Sequence, residues 1–325
     1  MKKSLFFAAA LTASSVFASP QATFSFNLDN DGIFGVDKDY TNGVFFAYAS
    51  PALSADNQWF LSQSTNDVSS VDKFQLSIGH KMWTPKTIES AEPISGERPY
   101  TGLLHLDASY SSQIEGQTIR YSAMLGTTGE NAFSEEAQKL VHSITGSPEP
   151  QGWDHQTENT VVAALGYQRF DRLMHGLTVN QNEWEVSNLF DATAGNFRSD
   201  IATGVMVRFG RQLQSSLGAA QINSENPFNP AMLGLERQGW FVFAGIKGRY
   251  RFNDLSIEGD RNNLPHPKSA YQVTLQPWQS EFSLGGTWYQ AQYGLSFALT
   301  ARTSDFKESH SRGNANGSVS AFMFF

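Results

Sequence analysis

The 325-residue sequence lacks cysteine altogether and, after its first 20 residues, lacks any long apolar run. The absence of cysteine excludes a disulfide framework and thiol catalysis. No later segment reaches the roughly 18 apolar residues that a membrane-spanning helix needs. Basic residues are also scarce, since 23 Lys and Arg against 31 Asp and Glu give a net charge of −8. An acidic chain without a Lys/Arg-rich run is not expected to bind nucleic acid.

Residues 1–19 have the pattern of a secretory signal peptide. Lys2 and Lys3 precede a short apolar core that ends at Val16, and small residues suited to cleavage follow. This core is too short to cross a bilayer as a helix. We therefore expect residues 1–19 to be removed. We expect one domain over residues 20–325, because no linker, repeat or low-complexity run divides them.

Most of the remaining sequence alternates apolar and polar residues with a period of two. In the clearest segment Trp240, Val242 and Ile246 lie on one face, whereas Lys247 and Arg249 lie on the other. This period predicts β-strands, and segments of ten or more residues approach the length of a tilted membrane strand. A soluble barrel or sandwich would have a similar composition, so composition alone does not choose between them.

Twelve such segments are present, an even number as expected of a membrane barrel with both termini on one side. Predicted strands six, seven, eight, ten and twelve cover 161–170, 177–189, 199–213, 273–288 and 317–325. The C-terminal Phe-Met-Phe-Phe resembles the assembly signal of bacterial outer-membrane barrels. The sequence thus predicts an all-β fold, a twelve-stranded antiparallel transmembrane β-barrel, with the long segment 214–238 on its periplasmic side.

Only residues 129–155 predict a convincing helix, which the strand count places in an extracellular loop. Ser134 is a suitable N-cap, and Gly146 stands where a helix would end. Gln138 and His142 are four residues apart, so they share one face of the helix. An apolar stripe lies beside them, formed by Phe133, Ala137, Leu140, Val141 and Ile144. A helix of this kind between strands indicates a site, although a solvated His142 is equally compatible with the pattern.

Polar residues cluster in two further stretches at the same predicted rim. Residues 29–32 and 39–43 supply carboxylates, an amide and a hydroxyl, which suit calcium but are also ordinary turn residues. Residues 96–102 include Glu97 and Arg98, which could pair, meet a charged headgroup or form a solvated rim. Each stretch alone leaves these alternatives open.

Taken together, the three stretches resemble the lipid A 3′-O-deacylases of Gram-negative outer membranes. The matching motifs are Asn30-Asp31, Asp39-Tyr40-Thr41-Asn42-Gly43, Glu97-Arg98-Pro99-Tyr100-Thr101-Gly102, Glu136-Ala137-Gln138 through His142 to Gly146, and Pro150-Gln151-Gly152-Trp153-Asp154. They occur in the family's order over the whole mature chain. The resemblance implies a calcium-dependent esterase that removes the 3′-linked acyloxyacyl group of lipid A. It also implies a site that faces the outer leaflet and its lipopolysaccharide.

The resemblance also implies individual roles for residues of this site. His142 would be the general base and Gln138 an oxyanion partner, and the apolar stripe of the helix, against the barrel wall, would accept acyl chains. The metal and catalytic cluster would comprise Asn30, Asp31 and Thr41. Members of the family can carry Glu six residues after the His, where this chain has Pro148. The adjacent Glu149 is predicted to substitute for it as a metal ligand. Some members place several basic residues in the loop after strand three, whereas Lys86 is the one basic residue there before Arg98, which leaves the substrate preference open.

The residues are compatible with this chemistry and with two alternatives. The chain has no Gly-x-Ser-x-Gly elbow, whereas a histidine beside a bound cation can activate water against an ester. An outer-membrane phospholipase would need a serine nucleophile, and Ser143 adjoins His142 on the wrong helix face. A porin-like channel would use Lys247, Arg249 and Arg251 to line its lumen.

Overall fold

The chain forms a closed barrel of twelve strands, β1 to β12. The computed structural model describes residues 21–31, 39–54, 59–233, 236, 238–311 and 313–325, so the predicted signal peptide lies outside the described residues. Each strand pairs antiparallel with its neighbours in sequence, and β1 pairs with β12 to close the sheet. The strands are Thr23–Asn30, Asp39–Ala49, Val71–Thr84, Thr101–Ile114, Gln117–Thr128, Val161–Leu177, Glu183–Gly195, Arg198–Arg211, Gly239–Asp254, Trp278–Tyr289, Tyr293–Thr303 and Gly313–Phe324. The predicted twelve-stranded barrel is confirmed.

Several predicted strand boundaries were wrong for local reasons. β6 continues to Leu177 because a register shift between Arg172 and Met174 interrupts the period of two. β10 begins only at Trp278, after Pro277, which has no N–H to offer the sheet. β12 begins four residues earlier than predicted, at Gly313, where glycine and asparagine give no apolar signal.

The barrel exposes apolar residues outward and buries polar residues inward. Leu106, Leu125 and Leu165 are each about 60–70% exposed on its outer face. On β9 the inward residues include Lys247 and Arg249, which are almost fully buried, as the alternation predicted. An exterior of this kind is unfavourable in water and matches the hydrocarbon region of a bilayer.

The segment between β8 and β9 folds back into the lumen. Its residues Gln212–Leu233, which we call the lumen hairpin, are held as a hairpin by a bridge between Ala220 and Phe228. We call the barrel end where β1 begins and β12 ends the terminal end. The opposite end, which carries the helix α1 described below, is the helix end. The hairpin enters from the terminal end and packs against inward residues of the wall, namely Phe170, Leu189, Met206, Phe241, Phe243, Tyr289, Ala298, Phe322 and Phe324. The sequence had given this segment no role.

The lumen towards the helix end is charged instead of apolar. Buried ion pairs join neighbouring strands there, such as Lys247 with Glu281 at 3.2 Å and Arg251 with Asp200 at 3.3 Å. These pairs and the hairpin leave a lumenal cavity of about 260 Å³. Hairpin and ion pairs together therefore fill most of the space between the strands.

The predicted helix exists as α1, Ser134–Thr145, between β5 and β6. Gly146 caps its end as predicted, with φ 73° and its N–H bonded to His142 O. The N-cap is Phe133, in the left-handed region, so the assignment of Ser134 as N-cap was wrong. The apolar stripe was also expected against the wall, yet Leu140 and Ile144 are 62% and 77% exposed, and the face turned inward is polar. No described helix is long and apolar enough to cross a membrane.

The filled lumen predicts that the purified barrel forms no porin-like channel. In planar lipid bilayers the wild-type protein should give no stable conductance steps, because the lumen hairpin blocks the path for ions. A variant in which residues 214–233 are replaced by a short Gly-Ser linker should conduct. A sixteen-stranded porin, whose lumen is an aqueous channel, serves as the positive control. Porin-sized steps from the folded wild type would contradict the filled lumen.

Candidate functional site

Helix α1 lies against the outer wall of the barrel, over β3 and β4. Ser134 Oγ lies 2.9 Å from His80 Nε2, and His80 belongs to the outward face of β3. The helix start also touches β4 at Gly102, where an added Cβ would lie 2.1 Å from Ser134 Oγ. The glycine of the 97–102 motif therefore permits the close approach of the helix to the wall.

The buried polar face of α1 includes Gln138, whose amide is oriented by Trp153. Trp153 is 1% exposed, packs on Tyr100 at 4.7 Å between ring centroids, and donates from Nε1 to Gln138 Oε1 at 2.8 Å. Because an indole N–H can only donate, the amide oxygen must face Trp153 and the amide nitrogen must face away. Gln138 Nε2 is buried and has no hydrogen-bond partner among the described residues. The structure thus holds an unused donor on the inner face of the helix.

His142 lies one turn further along α1 and is oriented by a backbone carbonyl group. Its Nδ1 contacts the carbonyl oxygen of Pro148. Because a carbonyl can only accept, Nδ1 carries the hydrogen, and the lone pair of the neutral ring is on Nε2. Pro148 occupies the position where the family resemblance expects Glu. Its backbone carbonyl meets the ring nitrogen that a carboxylate there could have oriented.

The facing side of the site comes from the ends of β1 and β2. Asn30 Nδ2 and the Asp31 N–H both lie 3.4 Å from Thr41 O, so the two strands hold these residues together. Thr41 Oγ1 hydrogen-bonds to Thr84 Oγ1 at 2.7 Å. Asp31 and Thr41 are buried, at 5% and 3% exposure. This side of the site is therefore built on paired backbone.

A cleft of about 710 Å³ separates the two sides. It brings together five of the predicted site residues, Asn30, Asp31, Thr41, Gln138 and His142, although more than 90 residues separate Thr41 from Gln138 in the chain. The other residues of its lining are Asn42, Met82, Lys86, Thr87, Ile88, Glu89, Val141, Thr145, Ser147 and Pro148. Sequence reasoning gave no role to Met82, Ile88 or Glu89, because no local motif marks them.

The 97–102 motif supports this cleft from behind instead of forming a solvated rim. Glu97 accepts hydrogen bonds from the N–H and the hydroxyl of Thr87, at 2.9 and 2.7 Å, and so fixes the loop that carries Lys86. Arg98 is 2% exposed and pairs with Asp305 at 3.4 Å. Burial lowers the pKa of the Arg98 guanidinium, and the nearby carboxylates oppose that effect. Arg98 is therefore not positioned to meet a headgroup.

The residues of the cleft include oxygen donors of the kinds that bind a hard cation. Asp31 offers a carboxylate, Asn30 an amide and Thr41 a hydroxyl, which are ligand types that calcium accepts. Glu149 is exposed and does not line the cleft, so its assignment as a ligand stays a prediction without geometric support. No group of three or more His, Asp or Glu side chains suited to a metal occurs among the described residues.

Comparison with known proteins identifies the family. Residues 5–325 match the family described as Outer membrane protein LpxR. The chain belongs to this family. The structure is similar to "LpxR from Salmonella typhimurium", with a TM-score of 0.73 and 19% identity over 93% of this chain and 100% of that one. At this identity the match shows that the LpxR barrel fold is shared.

Other comparisons are weaker. The β domain of the Bordetella autotransporter BrkA gives a TM-score of 0.43 at 10% identity, over 94% of this chain and 98% of that one. The translocator domain of NalP from Neisseria meningitidis gives 0.39 at 8% identity, over 94% and 88%. None of the curated proteins compared with this LpxR family member matches it.

The docking of α1 through Gly102 can be tested by proteolysis. Gly102→Ala should displace the helix start, and crowding of this kind costs about 1–3 kcal/mol. Lys139 is the one Lys or Arg between residues 129 and 156, so trypsin cleavage there reports opening of α1. We expect cleavage of the folded barrel to accelerate by about tenfold.

Gly248→Ala is the matched control, because a Cβ at Gly248 in β9 would meet nothing within 4 Å. Its cleavage rate should equal that of the wild type. An unchanged rate for Gly102→Ala would show that the helix does not depend on this contact.

Proposed function

We propose that the protein is an outer-membrane esterase that removes the 3′-linked acyloxyacyl group from lipid A. The family and the fold support a protein of the outer membrane. The deacylase activity follows from the resemblance of the site motifs. Under this proposal the helix end of the barrel is extracellular, and the cleft opens at the level of the outer leaflet.

The observation that carries the proposal is the convergence of a histidine, an amide donor and oxygen ligands in one cleft outside the barrel wall. His142 and Gln138 are held by groups that orient them, Pro148 O and Trp153 Nε1. A site that is formed only by docking a loop helix onto strand ends is suited to a substrate that approaches from the side. Lipids of the outer leaflet approach in this way.

The arrangement supports hydrolysis by an activated water. His142 Nε2 takes a proton from water as the oxygen attacks the ester carbonyl carbon. Gln138 Nε2, the unused donor, stabilises the negative charge that develops on the carbonyl oxygen. The bond between the acyl carbon and the sugar oxygen then breaks. His142 returns the proton to the leaving alkoxide, and the products are the released acyloxyacyl carboxylic acid and a sugar hydroxyl.

Asp31, Asn30 and Thr41 are the residues whose side-chain oxygens would hold calcium in this cleft. A bound calcium ion would polarise the ester carbonyl and add to the stabilisation of the oxyanion. One carboxylate with neutral oxygens makes a weak site, which suits a compartment where calcium is plentiful. Glu149 has no part in this proposal, because its side chain lies outside the cleft.

The exposed face of α1 fits a lipid substrate. Leu140, Val141 and Ile144 are between 45% and 77% exposed, and Val141 also lines the cleft. An exposed apolar helix face favours contact with acyl chains. Chains would therefore reach the cleft past the outer face of the helix, not between its apolar stripe and the wall as the sequence suggested.

The alternatives are less well supported. A channel is disfavoured because the lumen hairpin and paired charges fill the lumen, including Lys247 and Arg249. A serine esterase is disfavoured because Ser143 is exposed and its hydroxyl donates to Leu140 O within its own helix. That hydroxyl is directed away from the cleft that His142 lines.

The role of His142 is tested by mass spectrometry of lipid A. The wild-type chain, expressed in a Gram-negative host without its own 3′-O-deacylase, should remove the 3′ acyl groups. His142→Ala should lower the rate by about 10²- to 10⁴-fold, as loss of a general base does. His155→Ala is the control, because His155 lies in the same loop outside the cleft and should keep nearly full activity.

Folding of each variant is checked by its heat-modifiable migration on gels. Unmodified lipid A in cells that contain folded wild-type barrel would refute the deacylase. Equal activity of His142→Ala and wild type would refute the assignment of the base.

The calcium site gives a separate prediction. Chelation with EGTA should lower deacylation by purified barrel at least about tenfold, and added CaCl2 should restore it. Asp31→Asn should weaken calcium binding, measured by calorimetry, because it removes the one acidic side chain among the proposed ligands. Glu149→Gln should bind calcium like the wild type. The opposite pattern, loss with Glu149→Gln alone, would place the ion elsewhere.

A further inference from the structure

The lumen hairpin runs through the barrel and reaches the strands that carry the candidate site. At its tip, Glu225 pairs with Arg198 at 2.9 Å and with Lys81 at 3.0 Å. Asn316 Nδ2 donates to Ser224 O at 2.6 Å. Arg198 begins β8 and Asn316 lies near the start of β12, so both mark the helix end. The tip is thus fixed on several sides, about one strand length from the hairpin root.

Asp29 connects this tip to the site. Its side chain is fully buried on the inward face of β1, and its Oδ2 accepts from the Asn226 N–H and the Tyr40 hydroxyl, both at 2.7 Å. Asn30 and Asp31 follow it directly and line the cleft. Asn42, which also lines the cleft, donates to Asp29 O at 3.0 Å. One residue is therefore held by the hairpin on the inside and adjoins the site on the outside.

Asn226 is shaped for this contact. Its φ of 53° lies in the left-handed region, which Asn tolerates better than most residues, and this turn directs its N–H at Asp29. Its side-chain Oδ1 accepts from Asn27 Nδ2 at 2.6 Å. Both the backbone and the side chain of Asn226 are therefore hydrogen-bonded to β1, at the successive inward positions Asp29 and Asn27.

The burial of Asp29 at its contact with Asn226 is unfavourable for stability, and only a benefit from the position of β1 would offset it. Asp29 is a buried carboxylate, and the donors to its Oδ2 are a hydroxyl and a peptide N–H, which are neutral groups. Burial of a charge with neutral donors is unfavourable compared with an apolar residue at the same place. Reactive groups, in contrast, gain from placement within about 0.5 Å. A fixed end of β1 gives Asn30 and Asp31 this accuracy of placement.

We propose that the lumen hairpin is a positioning element of the site, which acts through the contact of Asn226 with Asp29. This inference rests on the proposed function, because Asn30 and Asp31 are the calcium-binding residues of that proposal. Asp29 and Asn226 touch neither substrate nor ion. They set where the two ligands stand, from the opposite side of the barrel wall.

Four variants test the inference in purified, folded barrel in detergent. Asp29→Ala removes the acceptor, whereas Asp29→Asn retains a carbonyl oxygen for the same two donors. Asn226→Pro removes the N–H and is incompatible with a positive φ, while the chain retains the Glu225 side chain. Ser25→Ala, on the same buried face of β1 but far from the tip, is the matched control.

Calcium binding is measured by calorimetry with CaCl2, and kcat and KM are measured on lipid A. Asp29→Ala and Asn226→Pro should each weaken calcium binding about tenfold. Each should also lower kcat by about ten- to hundredfold with KM little changed, as misplacement of reactive groups does. Asp29→Asn should recover most of both quantities, and Ser25→Ala should match the wild type. Asn226→Pro keeps the test decisive if Asp29→Ala does not fold.

The outcomes separate this inference from the proposed function. Wild-type calcium binding and kcat in folded Asp29→Ala or Asn226→Pro would overturn the positioning role alone. Equal losses in Asp29→Asn and Asp29→Ala would overturn it too, since the retained acceptor would then be irrelevant. A folded wild-type barrel that neither binds calcium nor deacylates lipid A would overturn the proposed function and this inference with it.

Discussion

Closure of the sheet between β1 and β12 is the constraint from which the rest of the structure follows. In hydrocarbon each backbone N–H and C=O must be paired within the protein, and only a closed barrel does this with strands. The pairing continues beyond β1 and β12, since Ala22 and Phe325 exchange two hydrogen bonds of 3.0 and 3.1 Å. Twelve strands, however, enclose more space than the side chains of a small barrel fill. The lumen must therefore be filled by something else.

Apolar packing by the lumen hairpin fills one end of the lumen, and buried ion pairs fill the other. The lumen hairpin supplies apolar contacts such as Phe228 on Phe243, with ring centroids 6.2 Å apart. Ion pairs such as Arg249 with Glu281 occupy the opposite end. Buried pairs of this kind add little net stability, but loss of one partner leaves a charge that cannot be solvated. The ends of β1 and β2, which carry Asn30 and Thr41, are therefore supported from the lumen, where Asp29 is bonded to Asn226 and Tyr40.

The sequence predicted the wall better than its contents. A period of two identifies a strand wherever one face meets lipid, and it fails at the bulge in β6, where the period is broken. The hairpin has no such period, and its partners are distant in the chain. One signal was present on β9, where inward Phe241 and Phe243 precede inward Lys247 and Arg249. That change from apolar to charged along one face indicates a lumen with an apolar plug at one end.

The orientation of α1 shows why the sequence could name residues of the cleft but not their arrangement. Gln138 and His142 share a helix face, as their spacing required. In water an amphipathic helix turns its apolar stripe to the protein, and that rule would expose the polar face. At a lipid surface the preference reverses, because Leu140 and Ile144 lose nothing by facing hydrocarbon, whereas polar side chains need partners in the protein. In a soluble protein the same spacing would place His142 on the solvated face of the helix. Here it places His142 on the face that packs against the protein, beside the residues of β1 and β2.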